Sequence, residues 1–192
     1  MAVSSLFRLP REILIVSIIL GIFAFMYSWP LLPFKQKKRL REFGWLKIIV
    51  LAGVWTIVTS VLPILYAHKQ ISDYPFEILI RFLFIFTLCI VFDIRDMHAD
   101  QADNITTLPN IVGMKNSYHL INITLVLFAA LSFVQYLRYP ITERLIGALL
   151  TAVITKIVVD YLKKHPSVKA YLGLADGVMM VYALLVLLTP IS

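Results

Sequence analysis

Four aspartates with helical spacing are the most chemically informative feature of the sequence. Asp93, Asp96, Asp100 and Asp103 fall within eleven residues, at successive separations of 3, 4 and 3 positions. At about 100° per residue, a helix would present all four carboxylates within an arc of about 80°. Like charges at this spacing destabilise a helix by about 0.2–0.5 kcal/mol per pair, and a bound cation relieves the repulsion. Because clustered hard oxygen ligands suit Mg²⁺ or Mn²⁺, we predict that these four residues hold such an ion.

A metal ion at this position would connect the carboxylates to a phosphorylated substrate. Magnesium held by one or two carboxylates commonly completes its coordination with substrate phosphates. A carboxylate and a diphosphate repel each other, and a divalent cation between them turns that repulsion into binding. A diphosphate at a membrane surface, with its apolar tail among helices, would be a prenyl diphosphate. The alternative interpretation is an acidic helix end that is simply solvated.

The elements that position the four aspartates, which form a stripe along one helical face, are predicted to be transmembrane helices. Of the 192 residues, 60% are hydrophobic and 15% are charged, against about 25% charged in ordinary soluble domains. Apolar runs of about 18 residues or more can cross a bilayer as helices. We therefore predict one all-α domain over residues 1–192 with about six spans. They lie near 12–29, 45–67, 75–92, 118–137, 141–162 and 170–190, with an aspartate-rich loop over 93–117.

The distribution of basic residues predicts the orientation of these spans. The connectors on the aspartate side carry eleven Lys and Arg residues, and those on the opposite side carry five. The positive-inside rule then places the aspartate loop in the cytoplasm, and we expect a bacterial inner-membrane protein. The net charge of +7 does not indicate nucleic-acid binding, because six of the 18 basic residues lie in the single connector 35–47. Cys89 is the only cysteine, which excludes an intramolecular disulfide.

Two stretches of the sequence carry a family resemblance. The first is Asp93-Ile-Arg-Asp-x₃-Asp100, followed by Thr107-Leu-Pro and Val112-Gly113; the second is Tyr27-Ser28-Trp-Pro30, followed by 35–41. Together they resemble the second aspartate motif and the basic connector of UbiA-type intramembrane prenyltransferases. The resemblance covers nearly the whole chain and corresponds to the C-terminal two-thirds of that nine-helix fold.

The resemblance implies an activity and a set of site residues. The activity is Mg²⁺-dependent transfer of a prenyl group from a prenyl diphosphate to an aromatic or lipid acceptor. Asp93, Asp96 and Asp100 would hold the metal and diphosphate, with Asp96 and Asp100 as the catalytic pair. The basic side chains that would contact the diphosphate are Arg95, Lys35 and Lys38.

The sequence also departs from the family pattern. Asn104 stands where a glycine is usual, and the family's first motif, Asn-x₃-Asp-x₃-Asp, is absent. The chain is therefore expected to be either a piece of a longer protein or a reduced form of the fold. This leaves open a truncated or degenerate non-catalytic homologue that binds Mg²⁺ or a polyprenyl phosphate, or serves as a partner subunit. A cation transporter would also explain the acidic cluster, but a transporter is expected to have paired polar residues along its spans, and this sequence has few of them.

Charged residues inside the predicted spans form a second group of candidates. Asp176 lies about 9 Å along its helix from the aspartate side, so it is a candidate to face the same cavity as the stripe. The alternative for Asp176 is a hydrogen bond to a neighbouring helix. Lys156 and Asp160 are four residues apart, which favours an ion pair over phosphate binding. Arg81, near the opposite end of its span, is expected to extend its side chain toward the interface.

Overall fold

The computed structural model describes residues 10–28, 44–102 and 107–187, and all regular elements within these ranges are helices. They are α1 (Arg11–Ser28), α2 (Gly44–Thr56), α3 (Leu62–Tyr66), α4 (Pro75–Ala102), α5 (Leu108–Val112), α6 (Met114–Arg138), α7 (Thr142–Lys164), α8 (Val168–Ala170) and α9 (Asp176–Leu187). π-Helical turns over Ile57–Val61 and Tyr171–Ala175 join α2 to α3 and α8 to α9, and a 3₁₀ turn covers Ile71–Asp73. The predicted all-α fold is confirmed.

Five helical stretches are long and apolar enough to cross a membrane. They are Trp45–Tyr66, Pro75–Met97, Met114–Arg138, Thr142–Lys164 and Val168–Leu187. They correspond to the second through sixth predicted spans. The 18-residue helix α1 occupies the position of the first predicted span but is not among these five, so a sixth crossing stays a prediction.

Much of the segment 93–117, which the sequence predicted to be a loop, is helical. α4 continues ten residues past Phe92, where the sequence predicted the span to end, and α6 begins at Met114 rather than Tyr118. A helix satisfies its own backbone hydrogen bonds, so it can continue after its apolar side chains have ended. Between α5 and α6, Gly113 turns the chain with φ +81° and ψ 156°, a conformation that side-chain-bearing residues rarely adopt.

The core of the bundle lies around α4, which packs against α2 and α6. The ring of Phe84 lies 6.0 Å from that of Phe128 on α6 and 4.4 Å from that of Tyr182 on α9, measured between centroids. The hydroxyl of Thr87 donates a 2.8 Å hydrogen bond to that of Thr124, which links α4 and α6 directly. These contacts fix α4, and α4 carries the aspartates.

Candidate functional site

Three of the predicted metal ligands lie at the end of α4, where the apolar stretch Pro75–Met97 finishes. Asp93 is 3% exposed, whereas Asp96 and Asp100 are partly exposed. All three belong to one continuous helix, as the 3- and 4-residue spacing predicted. Asp103 lies outside the described residues. The three carboxylates therefore lie along the last turns of one helix, at one end of the bundle.

Lys47 on α2 brings two of these carboxylates together. Its ammonium nitrogen lies 3.0 Å from Asp93 Oδ1 and 3.1 Å from Asp100 Oδ2. Asp93 and Asp100 are seven residues apart, two helical turns, so one lysine reaches both. The sequence interpretation counted Lys47 among the connector cations and missed this role. Its signal was a lysine placed inside the first turn of an apolar helix, where a charge needs a partner.

The Thr-Leu-Pro segment folds back onto the buried aspartate. The backbone N–H of Leu108 donates a 3.2 Å hydrogen bond to Asp93 Oδ2, so both carboxylate oxygens of Asp93 have partners. Thr107, which precedes α5, is completely buried. Its hydroxyl has no hydrogen-bond partner within the described part of the chain. A buried hydroxyl without a partner is costly, and it provides a spare oxygen next to the segment that holds Asp93.

Asp96 forms a separate ion pair. The guanidinium of its neighbour Arg95 donates two hydrogen bonds to it, of 2.6 Å and 2.7 Å, and lies 5.0 Å from the ring centroid of Phe92. Asp176, at the start of α9, is within electrostatic range of the same guanidinium. Asp176 thus belongs to the aspartate end of the bundle, and a cavity that it shares with the aspartates stays a prediction. The structure also separates Asp96 from the pair held by Lys47.

The remaining predicted residues do not join this cluster within the described structure. Lys156 and Asp160 form the expected ion pair, 2.7 Å apart, on an exposed face of α7. Lys35 and Lys38 lie outside the described residues. We call the group formed by Lys47, Asp93, Arg95, Asp96 and Asp100 the aspartate site.

The donor chemistry of the aspartate site fits a magnesium ion only in part. The carboxylates of Asp93 and Asp100 converge on one point, and the Thr107 hydroxyl, which has no partner among the described residues, is adjacent in sequence to Leu108, which hydrogen-bonds Asp93. Carboxylate and hydroxyl oxygens are hard ligands that suit Mg²⁺. Across the described ranges, however, no three acidic, His or Cys side chains gather as a ready-made metal cage. The arrangement suits an ion that takes one or two protein ligands and fills its other positions with water or phosphate.

The comparisons with known proteins identify the family. No curated protein and no solved structure matches the chain significantly. The model of the UbiA prenyltransferase family matches residues 1–175, which include both resembling stretches and the whole aspartate site. The chain belongs to the UbiA prenyltransferase family, as an integral membrane protein of the prenyltransferase type.

Proposed function

We propose that the chain binds a prenyl diphosphate at the aspartate site and transfers its prenyl group to an aromatic or lipid acceptor, with Mg²⁺ or Mn²⁺ as the cofactor. The observation that carries this proposal is the convergence of Asp93 and Asp100 on Lys47, with 3.0 Å and 3.1 Å contacts, at the end of an apolar helix. A diphosphate bound there would leave its hydrocarbon tail beside membrane-spanning helices. Family membership supports a prenyl-type lipid as the substrate.

The charge balance of the site supports a divalent cation. The aspartate site carries three carboxylates, of Asp93, Asp96 and Asp100, against the cations Lys47 and Arg95, and the nearby Asp176 adds a fourth carboxylate; together these described residues have two more negative than positive charges. A diphosphate alone would be repelled by that excess. One divalent ion neutralises it, and the oxygens of Asp93 and Asp100, with those of Asp96, are the ligands that would hold it.

The chemistry consists of breaking one C–O bond and forming one bond to the acceptor. The bond between the first prenyl carbon and the diphosphate oxygen breaks, and its electron pair leaves with the diphosphate. The acceptor supplies the pair for the new bond and releases a proton. Mg²⁺, when bound, supplies neutralisation of charge on the leaving diphosphate. Lys47 and Arg95 add fixed positive charge beside it, and the apolar helices keep water from the prenyl chain.

The distribution of basic residues supports a cytoplasmic aspartate site. With eleven Lys and Arg residues on the aspartate side and five on the other, the positive-inside rule favours this orientation in a bacterial inner membrane. Prenyl diphosphates are water-soluble at the head and membrane-soluble at the tail, so such a site would meet them at the inner surface.

A non-catalytic homologue is the second candidate, and one observation favours it. The ammonium of Lys47 already stands between Asp93 and Asp100, which gives these carboxylates a counter-charge without any metal. Such a protein would still bind Mg²⁺ or a polyprenyl phosphate, or support a partner subunit, but would release no diphosphate.

A double substitution at the catalytic pair tests the proposal. Asp96→Asn with Asp100→Asn keeps the size of both side chains and removes two charges. In the purified chain with a radiolabelled prenyl diphosphate and Mg²⁺, we expect transfer and metal-dependent binding to be lost. Asp160→Asn is the matched control, because Asp160 is an exposed carboxylate outside the aspartate site. Transfer that persists in the double variant would refute the proposal, whereas metal-dependent binding without transfer in the unaltered chain would establish the non-catalytic homologue.

A further inference from the structure

A charged cavity lies at the end of the bundle opposite the aspartate site. It is a cleft of about 600 Å³ between α3, α4, α7 and α9. Its charged lining consists of Lys69, Arg81 and Arg144, which are cationic, and Glu77, which is the single carboxylate among the lining residues. The apolar wall includes Pro63, Ile64, Ala183, Val186 and Leu187. We call this cavity the arginine cleft.

Arg81 is the residue that makes the arginine cleft unusual. It follows the start of α4 by six residues, about 9 Å along the helix axis. Its guanidinium lies 4.6 Å from the ring centroid of Tyr182, a core residue that is 6% exposed. Within the described part of the chain Arg81 forms no salt bridge. The carboxylate of Glu77, which also lines the cleft, pairs with Arg144 at 3.0 Å. A guanidinium keeps its charge even inside a membrane protein, so the cleft holds a positive charge facing an aromatic ring.

The backbone adds to the positive potential at this end. α4 begins at Pro75 and α7 begins at Thr142, and a residue from the first turn of each helix, Glu77 and Arg144, lines the arginine cleft. Helix N-termini carry a partial positive charge that favours anions. A smaller cavity of about 40 Å³ also has Arg81 and Arg144 in its lining, together with the buried residues Ser132 and Gln135. The charged end of the cleft is therefore polar as well as cationic.

The shape and lining of the cleft indicate an amphiphile. Its volume lies within the range of about 300–1,000 Å³ that small-molecule sites occupy. The cations of the lining come from Lys69, α4 and α7, whereas α3 and α9 contribute aliphatic side chains. A free anion would leave the aliphatic wall uncovered, and a neutral lipid would leave Arg81 without a counter-charge.

We propose that the arginine cleft binds an anionic lipid, with a phosphate headgroup at Arg81 and Arg144 and the hydrocarbon chain along α3 and α9. Guanidinium groups bind phosphate oxygens with paired, charge-assisted hydrogen bonds, which is why arginine suits this headgroup. Arg81 is twelve residues before Asp93 on the same helix, about 18 Å along its axis. The site is thus separate from the aspartate site and does not depend on the proposed prenyl transfer.

The test measures lipid binding to the full chain in a neutral detergent. Monododecyl phosphate is the probe; dodecyl phosphocholine, which has the same chain and no net charge, and inorganic phosphate are the comparison ligands. Isothermal titration calorimetry should give the tightest binding for monododecyl phosphate. Arg81→Gln should weaken that binding about tenfold or more, because it removes a charge-assisted contact. Arg138→Gln is the matched control, since Arg138 ends α6, is exposed and does not line the cleft.

A second variant keeps the test decisive if Arg81→Gln fails to fold. Ala183→Leu leaves every charge in place and fills the apolar wall, so it should weaken monododecyl phosphate binding and leave the helical circular dichroism spectrum unchanged. Equal affinity for monododecyl phosphate in the unaltered chain, Arg81→Gln and Ala183→Leu would overturn the proposal. Inorganic phosphate binding as tightly as monododecyl phosphate would overturn the assignment to a lipid. Asp100→Asn should bind the probe normally, which separates this result from any failure of the aspartate site.

Discussion

The ammonium nitrogen of Lys47 lies 3.0 Å from Asp93 Oδ1, across the contact between α2 and α4. The two residues are 46 positions apart in the chain, and the side chain of Asp93 is only 4% exposed. The same ammonium lies 3.1 Å from Asp100 Oδ2, so one cation of α2 holds two carboxylates of α4. This link both joins two helices that are long and apolar enough to span a membrane and organises the site at which we propose prenyl transfer.

Lys47→Met should destabilise the chain strongly. The substitution keeps the side-chain length but leaves the buried charge of Asp93 without its cation, and breaking a buried pair costs about 3–5 kcal/mol. The free energy of unfolding, measured by denaturant titration in detergent micelles, checks this value. Adding Asp93→Asn to Lys47→Met should recover part of the loss, because no uncompensated charge then remains.

Lys156→Met is the matched control for that experiment. Lys156 and Asp160 are both about half-exposed, and an exposed i, i+4 pair contributes about 0.3–0.5 kcal/mol. Equal destabilisation by Lys47→Met and Lys156→Met would contradict a special role for the Lys47 pair.

Removing divalent ions should abolish prenyl diphosphate binding while leaving the fold intact. With the nearby Asp176 counted, the described charges around the aspartate site leave an excess of two negative charges, so a diphosphate needs a divalent partner to approach. Adding a chelator should eliminate the calorimetric signal for a prenyl diphosphate, and adding Mg²⁺ or Mn²⁺ should restore it. Helical circular dichroism should not change, because Lys47 and Arg95 supply counter-charges without metal. Binding that is undiminished in the chelator would argue against metal dependence.

Thr107→Val should separate stability from ligand binding. The hydroxyl of Thr107 is buried and has no hydrogen-bond partner among the residues that the structure describes, so replacing it with a methyl group should raise the free energy of unfolding by about 1 kcal/mol. We expect the same substitution to weaken metal-dependent prenyl diphosphate binding, because the spare oxygen next to Leu108 would be lost. Thermal unfolding and calorimetry provide the two readings.

Thr124→Val serves as the comparison for Thr107→Val. The Thr124 hydroxyl is fully used, accepting from Thr87 and donating to the Ile121 carbonyl. Its loss should therefore destabilise the chain, by about 0.6 kcal/mol for an interhelical bond in a membrane. A destabilising Thr107→Val would show that its hydroxyl has a partner after all.

Gly113→Ala should disturb the turn that places α5 against α4. Gly113 has φ +81° and ψ 156°, and side-chain-bearing residues adopt such strained conformations at a cost of about 1–3 kcal/mol. A methyl group there would meet no atom within 4 Å, so the cost comes from the backbone alone. Gly53→Ala, in α2 and equally open, should be neutral or slightly stabilising, because alanine favours helices. Measuring the free energy of unfolding of Gly113→Ala and of Gly53→Ala tests this difference.

The local pattern of the sequence was sufficient to predict the all-α fold and the position of Asp93, Asp96 and Asp100 on one helix. A membrane imposes a minimum length on each apolar run and forces the backbone to bond within itself, so five predicted spans appear as helices close to their expected positions. The 3- and 4-residue spacing of Asp93, Asp96 and Asp100 likewise placed them on one helix, since helical periodicity depends only on neighbours along the chain. The i, i+4 pair of Lys156 and Asp160 follows from the same local geometry.

Tertiary structure alone decided which charges meet between different helices. The contact of Lys47 with Asp93 and Asp100, the electrostatic relation between Asp176 and Arg95, and the packing of Arg81 on Tyr182 each join residues far apart in the chain. Spacing determines which face of a helix a side chain occupies, but the partner on that face depends on how the helices pack. In a low-dielectric bundle, a buried charge must find a partner on whichever helix packs beside it, so packing determined the composition of both the aspartate site and the arginine cleft.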